Sequence, residues 1–278
     1  ASAYAGGIVE QEHRLEFSSA RQTFSPHLSQ EENRRLFGAA AAPSGHGHRY
    51  ALRLVLQGTV DPEHGFIVPE RDCDPVLAEL HRKLDHRFLN ADVAELRGMP
   101  MTTECLARFI WRWLAGKLPV ARIVLWENPD FFVEYGPDGM ARMGITGSFH
   151  AAHRLHSPHL SDAENLTMYG ICNNPRGHGH LYRVEAAIDG TIDDRTGTVF
   201  PLDRIQSGLD TALASWCFKH LDLDTSDFAD KPSTSENMIH VLWPRIEKAL
   251  GRPLCRLRLW ETPNNRFTLR RSASTGGT

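Results

Sequence analysis

Apolar and polar residues alternate in two stretches of the chain that end in glycine, and this pattern predicts β-strands. The stretches are RYALRLVLQG (49–58) and LYRVEAAIDG (181–190). Successive side chains of a strand point to opposite faces, so alternation marks a half-buried strand, and glycine favours the turn that follows. Shorter apolar segments predict four more strands: RIVLWE (122–127), FFVEY (131–135), RLRLWE (256–261) and RFTLR (266–270).

Two other segments carry apolar residues at the spacing of an amphipathic helix. Each follows a similar tripeptide, TTE (102–104) in the first half and TSE (234–236) in the second. Their apolar positions share one helical face, because an α-helix turns once every 3.6 residues. They are Leu106, Phe109, Ile110, Trp113 and Leu114 in the first half and Met238, Ile239, Leu242 and Trp243 in the second. Each half is therefore predicted to run strand, strand, helix, helix, strand, strand, in an α+β fold.

The two halves also share short motifs that recur in the same order. These are HGH (46–48 and 178–180), HLSQEEN and HLSDAEN (27–33 and 159–165), and LWE (125–127 and 259–261). Collinear matches of this kind indicate an internal duplication. The stretch YGPDGMARMG (135–144), rich in glycine and proline, separates the copies. We therefore predict two domains, residues 1–142 and 143–278.

Composition and charge limit the class of protein. The 278 residues suffice for two domains with their own cores, and 41% hydrophobic with 23% charged residues is typical of globular proteins. A formal net charge of −3 without a dense basic tract argues against a nucleic-acid partner. No apolar segment approaches the roughly 20 residues that span a bilayer, and no basic stretch precedes an apolar one near residue 1. We expect a cytoplasmic protein with no membrane partner.

The five cysteines are odd in number and irregularly spaced, which argues for reduced thiols rather than disulfides. Cys105 and Cys255 lie in apolar patterns and are interpreted as small buried residues. Cys172 lies instead in a loop rich in Asn, Pro and Gly, just before HGH (178–180). A thiol near a cation ionises more readily, so Cys172 is a candidate base or nucleophile.

Three histidines of the second half are candidate metal ligands. His178 and His180 point to the same face of a predicted strand, and a hairpin could bring His153 of the preceding strand alongside them. Three histidines with a vacant fourth position suit a catalytic zinc ion, which must leave room for substrate or water. Four other histidines of this half are interpreted as surface or hydrogen-bonded residues: His150, His156, His159 and His240.

Taken together, these residues resemble a known enzyme family. The motifs that carry the resemblance are FHAAHRL (149–155), MYGICNNPRGHGH (168–180), STSEN (233–237) and LWETPNN (259–265). Residues 145–270 look like a member of the 6-pyruvoyl tetrahydropterin synthase family, and residues 17–135 look like a second, degenerate member. The resemblance implies a tunnelling fold (T-fold), in which such units form a β-barrel with outer helices and bind a pterin between neighbouring units.

The resemblance also implies roles for individual residues. Zinc is held by His153, His178 and His180, and the thiol of Cys172 moves a proton on the substrate side chain. An Asp-His pair of the adjacent unit is the partner of that thiol, and a glutamate anchors the pterin. Zinc polarises the oxygens of the substrate side chain and thereby acidifies the adjoining C–H bond. A carboxylate suits the aminopyrimidine edge, which offers parallel hydrogen-bond donors.

The first copy departs from the family pattern at the metal and at the thiol. Alignment of FSSAR (17–21) with FHAAH (149–153) puts Arg21 opposite the ligand His153 and Ala40 opposite Cys172. An arginine is not a zinc ligand at ordinary pH, because its guanidinium has no lone pair to offer. We therefore expect no catalytic zinc at His46 and His48.

The second copy departs from the pattern at the Asp-His pair. The first copy has the pair as Asp85 and His86, whereas CFKHLDLD (217–224) is aligned to give Lys219 and His220. Since each copy lacks what the other keeps, we predict a composite site that joins the zinc half of one copy to the Asp-His half of the other. The competing interpretation is that Asp222 or Asp224 replaces the lost carboxylate and the first copy is only structural.

Sequence leaves the pterin anchor ambiguous, because both copies carry the candidate residues. The candidates are Glu104, Glu127, Glu236 and Glu261, with Thr102, Thr103, Thr234 and Ser235 beside them. We favour Glu261, which belongs to the zinc-bearing copy, and place Glu104 second.

The resulting expectation is a zinc-dependent lyase of tetrahydrobiopterin biosynthesis that acts on 7,8-dihydroneopterin triphosphate or a close pterin. Two alternatives remain. One is a 6-carboxytetrahydropterin synthase of deazapurine synthesis, although the Cys-to-His spacing resembles the pyruvoyl enzymes more. The other is a pterin-binding module without turnover, which has no need for a thiol beside a metal. A closed ring of alternating copies needs an even number of domains, so we expect a homo-oligomer, a dimer or tetramer of chains.

Overall fold

The computed structural model describes residues 7–272 and confirms the predicted α+β class. Its strands are β1 (Val9–Arg21), β2 (His46–Gly58), β3 (Arg87–Phe88), β4 (Val120–Asn128), β5 (Phe131–Tyr135), β6 (Ala141–His153), β7 (His178–Gly190), β8 (Lys219–His220), β9 (Arg256–Thr262) and β10 (Asn265–Arg270). Its α-helices are α1 (Gln30–Phe37), α2 (Glu70–Leu84), α3 (Leu89–Asp92), α4 (Thr103–Ala115), α5 (Asp162–Tyr169), α6 (Leu202–Ala214), α7 (Leu221–Asp224) and α8 (Ser235–Leu250). None of the helices of residues 7–272 has the length and apolar character needed to cross a membrane.

The chain folds into two compact units. The first comprises the chain up to Met143 together with Asp189–Pro201, and the second comprises Gly144–Ile188 and the chain from Leu202 onward. The segment Asp189–Pro201 connects β7 to α6, so it belongs to the second repeat in sequence but to the first unit in space. The predicted boundary at residue 142 did not anticipate this exchange.

The first unit is a sheet in the order β5-β4-β2-β1-β3 with helices on one face. β1, β2, β4 and β5 pair antiparallel, while the two-residue strand β3 runs parallel to β1. α4 packs on β4 and β5, and α2 packs on β1. Tyr50, Leu52, Leu54 and Leu56, alternate residues of β2, are buried as the sequence pattern predicts, and Val55 is buried as well.

The second unit repeats this arrangement with the order β10-β9-β7-β6, and β8 runs parallel to β6. β7, β9 and β10 pair antiparallel. α8 packs on β9, β10 and α6. β6 begins at Ala141, inside the stretch predicted to be a linker, because Ala141 and Met143 are buried and continue the alternation of that strand.

The elements that the predicted order omits include an eight-residue helix in each unit, α1 in the first unit and α5 in the second, besides the four-residue helices α3 and α7. Eight residues with few apolar positions give little periodic signal, but both helices begin at a capping box, Ser29 with Glu32 and Ser161 with Glu164. The buried side chain of Asn33 fixes the turn before α1 by accepting a hydrogen bond from Ser25 N (2.7 Å) and donating to nearby carbonyls. These short helices place the loop that leads into β2 or β7.

All five cysteines lie within residues 7–272 and are free, as predicted. Cys105 is buried at the start of α4, whereas Cys255 and Cys172 are half-buried. The interpretation of Cys255 as a fully buried residue is therefore only partly correct. Its thiol lies where the loop after α8 enters β9, 3.3 Å from the carbonyl oxygen of Ala187.

Trp216 is the largest fully buried side chain of the second unit, and we predict that Trp216→Ala destabilises it by about 3–5 kcal/mol. Its ring packs against Phe149 and Phe228, and its indole N–H donates to Asp227 (2.7 Å). Urea unfolding followed by circular dichroism measures the loss. Trp113→Ala, at a partly exposed tryptophan of the first unit, is the control. Equal losses in the two variants would contradict this account of the core.

Candidate functional site

Three histidines of the second unit converge at one end of its sheet. His153 is the last residue of β6, and His178 and His180 begin the neighbouring strand β7. One ligand nitrogen from each lies within 4.8 Å of the other two, and the Nε2 atoms of His153 and His178 are 3.2 Å apart. The structure thus brings together the three residues predicted as metal ligands. Three imidazole nitrogens at this spacing match the donor set of a single ion that keeps a position open.

The orientation of His153 is fixed by a backbone carbonyl. Its Nδ1–H donates to the carbonyl oxygen of Ser233 (2.9 Å), so the Nε2 lone pair faces the other two histidines. Burial lowers the pKa of His153 to about 4, which keeps the ring neutral, the form that binds a metal. Sequence reasoning missed Ser233, because a backbone carbonyl leaves no signal in a residue pattern.

Glu261 lies directly beside the three histidines. It sits near the end of β9, and its Oε1 is 3.5 Å from His153 Nε2 and 3.8 Å from His180 Nε2. Of the glutamates considered as pterin anchors, Glu261 is the one that the second unit places at the triad. Glu236, at the start of α8, is exposed to solvent.

Cys172 belongs to the same unit, in a 3-10 turn (Gly170–Asn173) that follows α5. The backbone N–H of Leu155 donates to the carbonyl oxygen of Cys172 (2.9 Å), and the side-chain amide of Asn173 donates to Leu155 O (2.7 Å). These bonds tie the turn to the chain two residues beyond His153. Cys172 is half-buried in this turn, and its role as a base or nucleophile stays a prediction.

Asp85 and His86 lie in the first unit, where α2 ends and β3 begins. His86 Nδ1 is 2.7 Å from Asp85 Oδ2, and the backbone N–H of Ser18 donates to Asp85 Oδ1 (2.8 Å). The hydrogen bonds from Ser18 and then from His86 lower the pKa of Asp85. Because the imidazole is held through Nδ1 and its side chain is exposed, Nε2 is presented outward. The geometry is that of an oriented acid–base residue.

Strand pairing shows that the alignment of Lys219 and His220 with the Asp-His pair is wrong. These two residues form β8, and their counterparts in the first unit are Arg87 and Phe88, which form β3. The registers are Ala151 with Lys219 and Ala152 with His220 in the second unit, and Ser19 with Arg87 and Ala20 with Phe88 in the first. The same spacing of 132 residues relates every one of these positions.

Cys217 and Phe218 therefore occupy the positions of Asp85 and His86. Phe218 has the same left-handed backbone as His86, with φ of 57° against 54°. Its N–H donates to the carbonyl of His150 (2.7 Å), as that of His86 donates to Ser18 O (2.6 Å). In sequence, Lys219-His220 looks like the counterpart of the Asp-His pair, but it lies two residues beyond the equivalent position. Only the strand register shows this offset. The second copy thus retains neither member of the pair.

Asp222 and Asp224 both accept hydrogen bonds from the backbone, and Asp222 Oδ2 also lies 3.8 Å from His220 Nδ1, so the replacement of the lost carboxylate by either residue stays a prediction. Asp222 accepts a hydrogen bond from the backbone N–H of Arg154 (2.7 Å), and Asp224 accepts one from that of His220 (2.8 Å). Their counterparts in the first copy, Asn90 and Asp92, accept the equivalent backbone bonds although Asp85 is present there. These side chains therefore hold the backbone in both copies.

The first unit has an arginine where the second has the metal-ligand set. Arg21, in the position of His153, is 3% exposed and donates through Nη2 to Glu127 Oε2 (2.6 Å) and Thr103 Oγ1 (3.0 Å). His48 Nε2 lies 3.4 Å from Glu127 Oε1. Burial would raise the pKa of Glu127, but the charge of Arg21 and the Thr103 hydroxyl hold it below its usual value. A guanidinium thus supplies the positive charge in this copy.

Thr102 and Glu104 are engaged by the segment Asp189–Pro201. Thr102 Oγ1 donates to the carbonyl of Gly197 (2.5 Å), and Glu104 Oε1 accepts from the backbone N–H of Val199 (3.3 Å). Glu104 is 4% exposed, and burial raises its pKa to about 7. The predicted substrate-binding residues of the first copy are therefore divided between this covered carboxyl and the Arg21 cluster.

Comparison with known proteins identifies the family. A model of the 6-pyruvoyl tetrahydropterin synthase family matches residues 12–138 and again residues 143–272. The chain belongs to this family and contains two copies of its unit, as the motifs indicated. By this membership it is an enzyme.

Three of the similar proteins each cover less than half of the chain. The chain is 44% identical over 126 residues to the 6-pyruvoyl tetrahydrobiopterin synthase of Drosophila melanogaster, which covers 44% of this chain and 75% of that protein. It is 42% identical over 120 residues to the human protein of the same name, covering 42% of the chain and 83% of that protein. The structure of the Caenorhabditis elegans 6-pyruvoyl tetrahydropterin synthase is 36% identical, with a TM-score of 0.47, over 48% of this chain and 96% of its own.

We predict that Arg21→Gln lowers the free energy of unfolding by about 3–5 kcal/mol at pH 7, because it leaves Glu127 buried without its cation. The pKa of Glu127 is lowered in the folded state, so the stabilisation by the pair is fully present above the unfolded value of about 4.3 and is lost progressively as the pH falls from there through the lower folded value. The deficit of the variant should therefore shrink as the pH falls through this range.

Urea titrations at several pH values measure this dependence. Arg14→Gln, which removes an exposed arginine that pairs with Glu12, is the matched control and should cost about 0–1 kcal/mol at every pH. A deficit of Arg21→Gln that is equal at pH 7 and at acid pH would contradict the charge argument.

Proposed function

We propose that this chain is a zinc-dependent 6-pyruvoyl tetrahydropterin synthase that acts on 7,8-dihydroneopterin triphosphate. The observation that carries the proposal is the convergence of His153, His178 and His180 beside Glu261, in the unit that also holds Cys172. Membership of the family and the names of the similar proteins support the reaction class.

The residues present fit a zinc ion. The donors are three imidazoles, and neither His180 Nε2 nor His178 Nδ1 has a hydrogen-bond partner although both atoms are buried. His153 is already fixed in orientation and charge by Ser233 and by burial. When bound there, zinc supplies Lewis-acid polarisation of the substrate side-chain oxygens, which makes the adjoining C–H bond more acidic.

The remaining chemistry falls to side chains of the chain. The thiol of Cys172, in its thiolate form, takes the proton from the substrate side chain. Glu261 accepts hydrogen bonds from the amino edge of the pterin and so fixes the ring beside the triad. Contacts of Glu104, Glu127, Thr102 and Thr103 with the ring stay a prediction, and all four side chains are buried and hydrogen-bonded within the first unit.

The acid–base partner of Cys172 comes from a first-copy unit. Asp85 orients His86 through Nδ1, which leaves Nε2 to exchange the proton. The second copy has Cys217 and Phe218 at the same positions. Phenylalanine has no group that can exchange a proton, and Cys217 has no imidazole next to it in sequence to orient. A complete site therefore joins the zinc half of one copy to the Asp-His half of a neighbour.

The edges of the two sheets support an assembly that alternates the copies. β10 ends the sheet of the second unit, and β1 is flanked on its outer side only by the two residues of β3. Such edges carry unpaired backbone groups that favour pairing with another strand. β1 carries Glu10, Glu12 and Glu16 as well as Arg14 and Arg21, and β10 carries Arg266 and Arg270. Pairing β1 of one chain with β10 of another would bring Asp85 to the zinc half and close a barrel of two chains.

We expect about one tightly bound zinc per chain in the wild type, because only the second copy offers three ligands. His178→Ala should abolish this binding. Arg21→His should raise the content to about two, since it completes a set with His46 and His48. Metal analysis after exhaustive dialysis measures these values without any assay of turnover. Two zinc ions per wild-type chain would overturn the assignment of Arg21.

The product distinguishes the proposal from its nearest alternative. A 6-carboxytetrahydropterin synthase releases acetaldehyde from the side chain, whereas the pyruvoyl enzyme retains those carbons. Zinc-loaded protein incubated with dihydroneopterin triphosphate, with products identified by mass, separates the two. No turnover by fully loaded protein would favour a pterin-binding module.

The composite site predicts that two inactive variants restore each other. Cys172→Ala damages the zinc half and Asp85→Ala the Asp-His half, and each should be inactive while retaining zinc. Dissociated and reassembled together, they should recover about a quarter of wild-type activity, because half of the random pairs contain one intact site of two.

Two controls sharpen this test. A mixture of Cys172→Ala with His153→Ala should recover nothing, since both variants damage the same half. Cys217→Ala, at the position equivalent to Asp85, should be active alone. A site made within one chain is indicated if the first mixture stays inactive, and an active Asp85→Ala variant removes the pair from the mechanism.

A further inference from the structure

One turn of the second repeat is docked into the first unit through specific contacts. The turn is Asp193–Val199, and it covers the start of α4. Thr102 Oγ1 donates to Gly197 O (2.5 Å), Val199 N–H donates to Glu104 (3.3 Å), and Ser25 Oγ donates to Arg195 O (2.5 Å). Gly197 and Val199 are buried there.

Gly197 shows how closely this turn is seated. A Cβ atom added to it would lie 2.5 Å from Pro100 Cβ and 3.2 Å from Cys105 Sγ. The position also has φ of +78°, a conformation that favours glycine. Only a glycine turn of this shape can therefore approach the start of α4.

The first repeat carries the same turn, Asp61–Ile67, in an exposed position. Gly65 has φ of +78°, and its N–H donates to Asp61 O (2.8 Å), as Gly197 N–H donates to Asp193 O (2.7 Å). Apart from Gly65 and its two neighbours in sequence, no heavy atom of residues 7–272 lies within 4 Å of a Cβ added to Gly65. The adjoining Phe66 is 49% exposed. The turn Asp61–Ile67 thus has the backbone shape of the docked turn Asp193–Val199, although no described residue outside the turn packs on Gly65.

The matching surface of the second repeat lies at the start of α8. Thr234 corresponds to Thr102 and caps the helix in the same way, by accepting a hydrogen bond from Asn237 N. Glu236 corresponds to Glu104 but is exposed, and Pro232 corresponds to Pro100. Among residues 7–272, none donates a hydrogen bond to the Glu236 carboxylate and none accepts one from the Thr234 hydroxyl. The two contacts made at the start of α4 are therefore not repeated at the start of α8 within the chain.

We propose that the turn Asp61–Ile67 of one chain docks on Thr234–Glu236 of a second copy of this chain. Ile67 N–H donates to Glu236, and Gly65 O accepts from Thr234, repeating the contacts of Val199 and Gly197. The interface used once within the chain is used again between chains, which closes the ring instead of leaving it open. The inference rests on the alternating assembly proposed above and identifies the element that forms it.

One contact of the intrachain interface is not reproduced. Arg195 forms an ion pair with Glu32 (2.5 Å), but the corresponding residues are Glu63 and Glu164, which carry like charges. The proposed interface between chains is therefore weaker by this pair than the one within the chain. This difference gives the experiment a variant that should strengthen association as well as one that should weaken it.

The test measures self-association by sedimentation velocity over a range of concentrations. Gly65→Ala should raise the dissociation constant about tenfold or more, because its Cβ would meet Pro232 of the partner as a Cβ at Gly197 would meet Pro100. Gly139→Ala is the matched control, with φ of +74° and nothing within 4 Å of its added Cβ. It carries the same backbone strain away from the turn and should associate like the wild type.

Glu63→Arg should lower the dissociation constant, roughly threefold, by recreating the charge pair seen between Arg195 and Glu32. Glu31→Arg, the same change at an exposed site elsewhere, should not. A monomeric wild type would overturn the proposal, and so would a Gly65→Ala variant that associates as tightly as Gly139→Ala. If Gly65→Ala does not fold, the test is Glu63→Arg, and a failure of that variant to tighten association would overturn the proposal. Because association is measured without substrate or metal, an inactive enzyme that still shows these shifts would refute the proposed function alone.

Discussion

A carboxylate withdrawn from water needs a positive charge or several hydrogen-bond donors beside it, and a glutamate that is buried in the first copy and half-buried in the second lies near the end of corresponding strands. In the first copy it is Glu127, held by the buried guanidinium of Arg21. In the second it is Glu261, which faces three imidazoles instead. In the first copy the cation beside the glutamate is a side chain, Arg21. Under the proposed function, the cation in the second copy is a zinc ion bound from solution. The exchange of arginine for histidine at this position accounts for the different charge and the different capacity to bind a metal at the two glutamates.

Under the proposed function, each copy contributes a different half of the active site, according to where its functional groups lie. The histidines and Cys172 belong to the end of one sheet, while Asp85 and His86 lie beside the outer edge of another. A site assembled from neighbours needs one half from each, so a duplicated chain can lose the unused half from each copy without losing the whole. The presence of Cys217 and Phe218 at the positions of Asp85 and His86 is consistent with that loss. The backbone conformation of His86 is kept at Phe218, but the carboxylate and the imidazole are absent from these two positions.

The two copies share several features of backbone conformation and local hydrogen bonding although many of their side chains differ. Both copies retain the left-handed residue before the short parallel strand, the capping box of the short helix, and a buried asparagine that organises the preceding turn. The turn around Gly65 and Gly197 also has one shape in both copies, although only the second is covered within the chain. These features fix the path of the chain, and a change in any of them would move several elements at once. Side chains at the site can change more freely, because each affects a single contact.

The sequence by itself determined the duplication, the α+β class, the main strands and helices, and the three histidines, because each depends on local spacing or on matching letters. Tertiary structure decided what depends on register and on contacts distant in sequence. Lys219 and His220 imitate the Asp-His pair in letters, and only their pairing with β6 shows that they stand two residues too far along. The carbonyl of Ser233 that orients His153 and the pairing of Arg21 with Glu127 join residues about 80 and 106 positions apart. Likewise, no pattern in the second repeat indicates that Asp189–Pro201 belongs to the first unit. A residue pattern records which groups are present, whereas strand register and packing determine which of them meet.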